Sequence, residues 1–413
     1  MIPGIDAVLL DVGGTLVAPA PPGTPTDELR ASPLPGVREA VDSLAAHHRL
    51  AAVTDTSVMR EDDVRRLLAT VGLDEHLEAV VTSVDAGARK PDPRGVLGAL
   101  RRLGVPAERA LLVGDSVDDR DAAARAGIAF VPSDRGLPDA IERAAWRRRS
   151  AFADATRAIQ PTDDTAEREA TQRHARLAKP VGALGRLETL AAQLAAIARR
   201  CPPPVPRQPA VAVFAGDHGV VAASVTPWPQ DVTAVMARNM AAGRASINAI
   251  ARTVGANVHV VDVGIATPLP PTPGIASRVV RRGTADLARE PAMTTAEARA
   301  AVDVGIRVAH DLVADGSDLL VTGDMGIGNT TPSAALVATL TGTPATIVTG
   351  RGTGIDDDTL ARKTSIVEQA TERAARLLDP VSILAEIGGL EIAAMAGSYL
   401  EAARRGVPAL LDG

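Results

Sequence analysis

In the first third of the chain, the residues best suited to chemistry are an aspartate, a threonine, a lysine and a pair of carboxylates, in that order. Asp11 closes the apolar run IDAVLLD and is followed by Val12-Gly13-Gly14-Thr15-Leu16. A strand-end aspartate backed by glycines can be presented for nucleophilic attack. Thr54 closes the run LAAVT and offers a hydroxyl to a phosphate oxygen; Lys90, in RKPDP, offers a cation that would neutralise phosphate and nucleophile together. Asp115 and Asp119, in GDSVDD, pair two carboxylates, hard oxygen donors suited to Mg²⁺. Each residue also has a plainer reading. Asp11 would serve as a helix cap, Thr54 as a turn residue, Lys90 as a solvated cation, and Asp118, Asp119 and Asp121 as a favourable first turn. Their shared position at the ends of apolar runs favours the chemical reading.

In the second half, two glycine-rich segments follow apolar runs: GDMGIGNTT after SDLLVT, and TGRGTG after ATIV. Gly326 and Gly328 in the first, with Gly350, Gly352 and Gly354 in the second, would let backbone N–H groups come close to an anion. Plain turns are the alternative. Asp217-His218 has the look of a catalytic pair, and Trp228 stands out among neighbouring prolines and a glutamine in a chain with 1% aromatic residues.

These residues need elements to hold them. The length of 413 residues exceeds one typical core, so at least two domains are expected. From 5 to 131, the runs IDAVLLDV, LAAVTDTS, AVVTSVD and RALLVGDS alternate with Ala/Arg/Leu-rich helical stretches. A second such rhythm runs through PAVAVFAGDHG, ANVHVVDVGI, SDLLVTGDMG and ATIVTGRGTG. The pattern predicts an α/β chain of two modules, each a parallel β-sheet flanked by helices. Such sheets place their chemistry beyond the carboxyl ends of the strands. The expected divisions are 1–135, a linker and connecting helix over 136–170, and 171–413. Within the linker, Trp146 to Arg149 is read as a solvated helix face, with a phosphate patch as the alternative. The segment CPPPVPRQP (201–209) is a stiff connector.

Composition narrows the function. Hydrophobic residues make up 46% of the chain, which excludes global disorder. A net charge of -6 argues against nucleic acid as a partner. Cys201, the only cysteine, can form neither an internal disulfide nor a cysteine zinc site. The N-terminus lacks a basic region before its apolar run, and no apolar stretch reaches the roughly 20 residues that span a bilayer. The expectation is a cytoplasmic protein with no membrane contact.

Residues 1–135 resemble the haloacid dehalogenase superfamily, on the ordered Asp11, Thr54, Lys90 and Asp115/Asp119 motifs. The resemblance implies a Rossmann-like hydrolase domain working through a phospho-aspartate at Asp11. Thr54 and Lys90 would belong to the phosphate site, and Asp11, Asp115 and Asp119 would hold Mg²⁺. One position departs from the pattern: two residues after the nucleophile, where the family's phosphatases usually carry an acid–base aspartate, stands Gly13. General acid–base catalysis is worth about 10²–10⁴-fold. The gaps around Thr54 are too short for a large cap, so an open site is expected.

From about 174 onward the chain resembles the nicotinate-nucleotide–dimethylbenzimidazole phosphoribosyltransferase family. LAKPVGALGRLETLAAQLA, FAGDHGVVAASVTPWPQDVTAVM, VHVVDVGI, PAMTTAEA, TGDMGIGNTTPSAAL, TGRGTGIDDDTLARK and IGGLEIAAMAGSYLEAARRGVPALLDG carry the likeness in family order. It implies transfer of phosphoribose from nicotinate mononucleotide to 5,6-dimethylbenzimidazole, giving α-ribazole 5′-phosphate and nicotinate in cobalamin lower-ligand synthesis. A homodimer is implied, and no cofactor for this module. Asp324 (glutamate in many relatives), Gly326 and Asn329 would face the ribose phosphate, with Gly350 and Lys363 in the phosphate region. Trp228, Pro229, Met236 and Met325 would line the pocket for the flat apolar base, although Met236 and Met325 read equally well as core. The GDHG segment is a strand-to-loop signature in this family, which gives His218 a positioning role. The family pattern continues past LLDG to a glutamate in a Gly-Glu-Gly context that acts as general base. That base is therefore expected outside this chain, whose transfer would be slowed by about 10²–10⁴-fold; Glu391 is assigned no role. The competing expectations are a phosphatase with only the first module active, and an inactive nucleotide-binding remnant. The fusion itself predicts that the hydrolase removes the phosphate of the transferase product.

Overall fold

The computed structural model describes residues 1–21, 24–25 and 28–411, and for Arg149 the backbone alone. The chain divides into two compact units: Met1–Arg149 with Arg376–Asp379, and Ser150–Ala375 with Pro380–Gly413.

The sheet of the first unit contains β1 (Ala7–Leu10), β2 (Arg49–Thr54), β3 (Ala79–Thr82), β4 (Ala110–Gly114) and β5 (Ala129–Pro132), all parallel, in the order β3-β2-β1-β4-β5. Helices cover both faces, so the strands read as continuous apolar runs. Side-chain alternation splits the core in two. Val8, Leu10, Ala52 and Val113 face one cluster, whereas Ala7, Leu9, Val53 and Leu112 face the other. The chain builds outward from β1 through β2 and β3, then returns to lay β4 on the opposite side. The order therefore reverses between β1 and β4, and a crevice opens beyond their carboxyl ends. Asp11 follows β1 and Asp115 follows β4, so topology alone makes them neighbours.

The second unit repeats the device. β6 (Pro209–Gly216), β7 (Asn257–Gly264), β8 (Ile275–Ser277), β9 (Leu319–Met325) and β10 (Ala409–Leu411) form a parallel sheet in the order β10-β9-β6-β7-β8. Here the reversal lies between β6 and β9, which brings Asp217 and Asp324 to one crevice. Helix Leu390–Arg405 packs on helix Thr295–Ala314 at backbone contact. A Cβ on Gly305 would stand 1.8 Å from the Ala394 carbonyl oxygen, and one on Gly397 2.1 Å from that of Val302. This close seat fixes Glu391 in the first turn of its helix.

The structure corrects two sequence readings. ATIV, expected as a strand before TGRGTG, is a one-turn helix, Ala345–Val348. Pro344 leads it and Ile347 is exposed, so the run has neither the pairing nor the burial of a strand. The Trp146–Arg149 face is half-buried rather than solvated as far as Arg148, whose guanidinium donates to the Pro3 carbonyl at 3.2 Å. The stretch 136–170 is largely helical, as Leu137–Arg149, Ala151–Ala158 and the start of Asp164–Arg176. Leu137, Ala140 and Ala144 join the core of the first unit. None of the described helices is long and apolar enough to cross a membrane.

Candidate active sites

In the first unit, Lys90 ties the crevice together. Its Nζ lies 2.5 Å from Asp11 Oδ1 and 2.5 Å from Asp119 Oδ1, with all three side chains at least nine-tenths buried. The loop that carries Lys90 is pinned by its own amide, which donates to Asp55 Oδ1 and Oδ2 at 3.2 and 3.1 Å. Asp119 serves two structures at once. Its Oδ2 accepts from Ser116 N at 3.1 Å and Ser116 Oγ at 2.5 Å, closing the capping box of helix Val117–Ala126, while Oδ1 faces Lys90. Asp119 thus starts its helix and at the same time faces the crevice. Burial pushes the Asp11 carboxyl up to about 7; Lys90 opposes this, and Asp119 and Asp115 add to it. Burial would lower Lys90, but Asp11 and Asp119 outweigh it and raise its pKa.

Asp11, Asp115 and Asp119 each offer one oxygen, all within 4.8 Å of one another, and Asp115 opens the cluster to solvent. Three converging carboxylates suit a hard divalent cation. Thr54 is buried at the end of β2. The loop after Asp11 runs against the cluster: a Cβ on Gly14 (φ +82°) would stand 2.0 Å from Asp115 Oδ2. Gly13, by contrast, faces space that holds no atom within 4 Å of its missing side chain. Among the described residues, a single α-helix, Val37–Ala45, lies between Asp11 and Thr54.

In the second unit, Asp324 at the end of β9 accepts from Asn329 Nδ2. Burial raises the Asp324 pKa, the Asn329 bond opposes this, and the Glu391 charge adds to it. One turn further on, Thr330 opens helix Thr330–Thr341 and Lys363 reaches in from helix Asp357–Ala374. Lys363 Nζ donates to Thr330 Oγ1 at 2.8 Å and to the Gly350 carbonyl at 3.0 Å. Lys363 is 2% exposed, and among the described residues no carboxylate lies within ion-pairing distance. Burial lowers its pKa. At the corner formed by Thr330, Gly350 and Lys363 the amine thus has a hydroxyl and a carbonyl as partners and, among the described residues, no countercharge. Missing side chains at Gly350 and Gly354 face open space, which leaves room for one.

Behind Asp324, His218, for which a positioning role is expected, meets Glu391, for which the sequence gives none. His218 Nε2 and Glu391 Oε1 are 2.9 Å apart, and both side chains are fully buried. Burial opposes protonation of His218, but Glu391, then Asp217 and Asp324, outweigh it and raise its pKa. Asp217 anchors the same region: it accepts from Thr233 Oγ1 at 2.6 Å and from Ala266 N at 2.8 Å. Thr233 Oγ1 in turn accepts from Ile327 N at 3.0 Å. The GDHG segment thus holds the loop after β9 in place, and His218 is sealed from solvent.

Both units have counterparts among known proteins. Residues 159–413 match a family model described as phosphoribosyltransferase, and residues 26–132 match one described as haloacid dehalogenase-like hydrolase. The chain is 52% identical over 273 residues to the nicotinate-nucleotide–dimethylbenzimidazole phosphoribosyltransferase of Salinispora tropica, covering 62% of this chain and 75% of that protein. To the enzyme of the same name from Deinococcus radiodurans it is 46% identical over 275 residues, 65% and 74% of the two chains. A crystal structure of CobT from Thermus thermophilus aligns with a TM-score of 0.58 at 46% identity, over 60% of this chain and 74% of that one.

The chain belongs to the nicotinate-nucleotide–dimethylbenzimidazole phosphoribosyltransferase family. The transferase match contains Asp217, His218, Asp324, Lys363 and Glu391. The hydrolase-like match contains Thr54, Lys90, Asp115 and Asp119 but starts after Asp11; the sheet order and the Lys90 contact place Asp11 with them.

Not every residue expected in the transferase site meets the others. Trp228 and Pro229 are exposed on the loop before helix Val232–Ala241, and Met236 is half-buried one turn beyond Thr233. Met325 packs against the cluster of Ala215, Ala234, Ala237, Val260 and Ile265. Thr330, Thr233 and Glu391 were missed, although a glutamate inside the apolar run GGLEIAAM is itself a signal of a buried partner. Gly326 also changes meaning. Its missing side chain points into the protein, 2.1 Å from the Gly216 carbonyl oxygen and 3.0 Å from His218 Nε2. Gly326→Val is therefore expected to destabilise the second unit by about 1–3 kcal/mol through over-packing, whether or not ligand is present. An unchanged urea midpoint for that unit would contradict this placement.

Proposed function

We propose that the second module transfers phosphoribose from nicotinate mononucleotide to 5,6-dimethylbenzimidazole, releasing nicotinate. The observation that carries the reading is the buried, carboxylate-free Lys363 at an open glycine corner. A phosphate dianion there would accept from Lys363 and from the hydroxyl and backbone N–H of Thr330, since Thr331 and Ser333 already donate to the Gly328 and Asn329 carbonyls and position 332 is proline. With the phosphate so anchored, the Asp324 carboxylate is suited to the positive charge that develops at the anomeric carbon as nicotinate leaves. Asn329 holds that carboxylate in place. Met325, Met236, Trp228 and Pro229 are the apolar candidates for the flat acceptor. The protein is proposed to act as a homodimer, since Val181, Leu184, Leu187 and Leu190 form a run of exposed apolar side chains of the kind that marks interfaces. Nicotinate release from the mononucleotide should require the benzimidazole; release at the same rate without it would reassign the module as a nucleotide hydrolase.

The first module is proposed as a Mg²⁺-dependent phosphoryl-transfer domain with Asp11 as nucleophile. Asp11, Asp115 and Asp119 would hold the ion, and their all-oxygen donor set fits it. When bound, Mg²⁺ neutralises charge on the transferring group. Lys90 orients Asp11 and adds a second positive charge beside it. Thr54, at the end of β2, would offer its hydroxyl to a phosphate oxygen.

A further inference from the structure

We propose that the first module takes its phosphoryl group from donors whose leaving group departs without a proton, acyl phosphates foremost, and keeps it on Asp11. This rests on reading Asp11 as a nucleophile. The loop after Asp11 lies against the carboxylate cluster, as the 2.0 Å approach of a Gly14 Cβ to Asp115 shows. The adjoining position 13 faces open space and carries no side chain. Among the described residues, the other charged groups at the site are engaged. Lys90 donates to Asp11 and Asp119, Asp119 also accepts from Ser116, and both Asp55 oxygens accept the Lys90 amide. Asp115, which is exposed, would be taken up by the cation it is proposed to hold with Asp11 and Asp119. At position 13, then, nothing stands ready to give a proton to an alkoxide or take one from water.

The chemistry follows from that. An Asp11 oxygen attacks phosphorus and forms an acyl-phosphate bond. The bond from phosphorus to the donor's oxygen breaks, and its electron pair leaves on that oxygen. From acetyl phosphate the leaving group is acetate, a stable anion that needs no proton. From an alkyl phosphomonoester it is an alkoxide, which does. The phosphate ester on a nucleotide ribose, including that of the transferase product, belongs to this second, disfavoured class. In the reverse half, water must lose a proton as it attacks the phospho-aspartate. Without a base at position 13 that step is slow, so the phosphorylated protein accumulates. General acid–base assistance is worth about 10²–10⁴-fold, and acyl donors should be favoured over alkyl donors by that order.

The test uses the whole chain with Mg²⁺ and either acetyl phosphate or glycerol 3-phosphate, read by intact mass and by phosphate release. Acetyl phosphate should add one phosphoryl group that hydroxylamine removes; glycerol 3-phosphate should add none, and Asp11→Asn should stay unmodified with both. Gly13→Asp, for which the structure has room, should turn the adduct over and hydrolyse glycerol 3-phosphate about 10²–10⁴-fold faster than wild type. Wild-type turnover of the alkyl ester at the acyl phosphate rate, or turnover without an adduct, would overturn the inference and leave the phosphoryl-transfer reading standing. An adduct on Asp11→Asn would overturn the assignment of the residue. Neither adduct nor phosphate release, from wild type and Gly13→Asp alike, would sink the inference and the reading together.

Discussion

Lys363→Met should weaken nicotinate mononucleotide binding by roughly 10- to 150-fold, the worth of a hydrogen bond to a charged group, about 1.5–3 kcal/mol. The same variant should be at least as stable as wild type without ligand. Both expectations come from one geometry. A buried ammonium with a hydroxyl and a carbonyl as partners, and no countercharge, costs desolvation that neither partner fully offsets. Methionine fills the same space with nothing to desolvate. Calorimetry and thermal unfolding of the two proteins separate the effects. A variant that loses stability but keeps its affinity would show that Lys363 is a structural residue and that the phosphate binds elsewhere.

Removing one partner of the His218–Glu391 pair should be the most destabilising single change in the second unit, by about 3–5 kcal/mol. His218→Leu leaves Glu391 buried, with Asp217 and Asp324 close enough to influence the same site electrostatically. The double variant His218→Leu/Glu391→Leu should recover much of the loss, because a buried ion pair and a packed apolar pair are often of similar stability. The pH dependence has a definite sign. The folded pKa of His218 lies above its unfolded value. Its contribution is therefore complete below the unfolded value and is lost as pH rises through the folded one. Asp217 and Asp324, whose folded pKa values are also raised, act in the same direction. In urea unfolding of the second unit, followed as its own transition, the stability advantage of wild type over the double variant should therefore be largest below the unfolded histidine value of about 6.5 and shrink as pH rises above it. A double variant no more stable than His218→Leu alone would contradict the pairing.

How much of this is legible in the sequence depends on whether a residue ends a strand. Asp11, Thr54, Asp115, Asp217 and Asp324 each close or follow an apolar run. Two parallel sheets then bring them into two crevices by strand order alone. Lys90 and Lys363 sit at no strand end; the first is legible as a cation in RKPDP, the second only through the family resemblance. The His218–Glu391 pair joins a loop to a helix far along the chain, and no local pattern encodes such a contact. Short runs misled in both directions. ATIV has strand composition but folds as a helical turn behind Pro344. Ala409–Leu411 is only three residues long and completes the sheet through its pairing with β9. The stretch from Val232 to Gly255 has helical composition throughout but breaks at Gly243, whose φ of 75° follows the end of the first helix. Gly326 was correctly noticed as special, but the reason lies in the neighbouring strand, which only the fold reveals.

Whether the second module moves phosphoribose to a benzimidazole nitrogen can be decided by following a label on the ribose. Nicotinate mononucleotide labelled in its ribose is incubated with the protein and 5,6-dimethylbenzimidazole, and the products are separated by charge and absorbance. The label, still bearing its phosphate, should become attached to the benzimidazole as nicotinate is released in equal amount, and Lys363→Met should suppress both. Label released as free ribose phosphate, in an amount indifferent to the benzimidazole, would show that the module does not carry out this transfer.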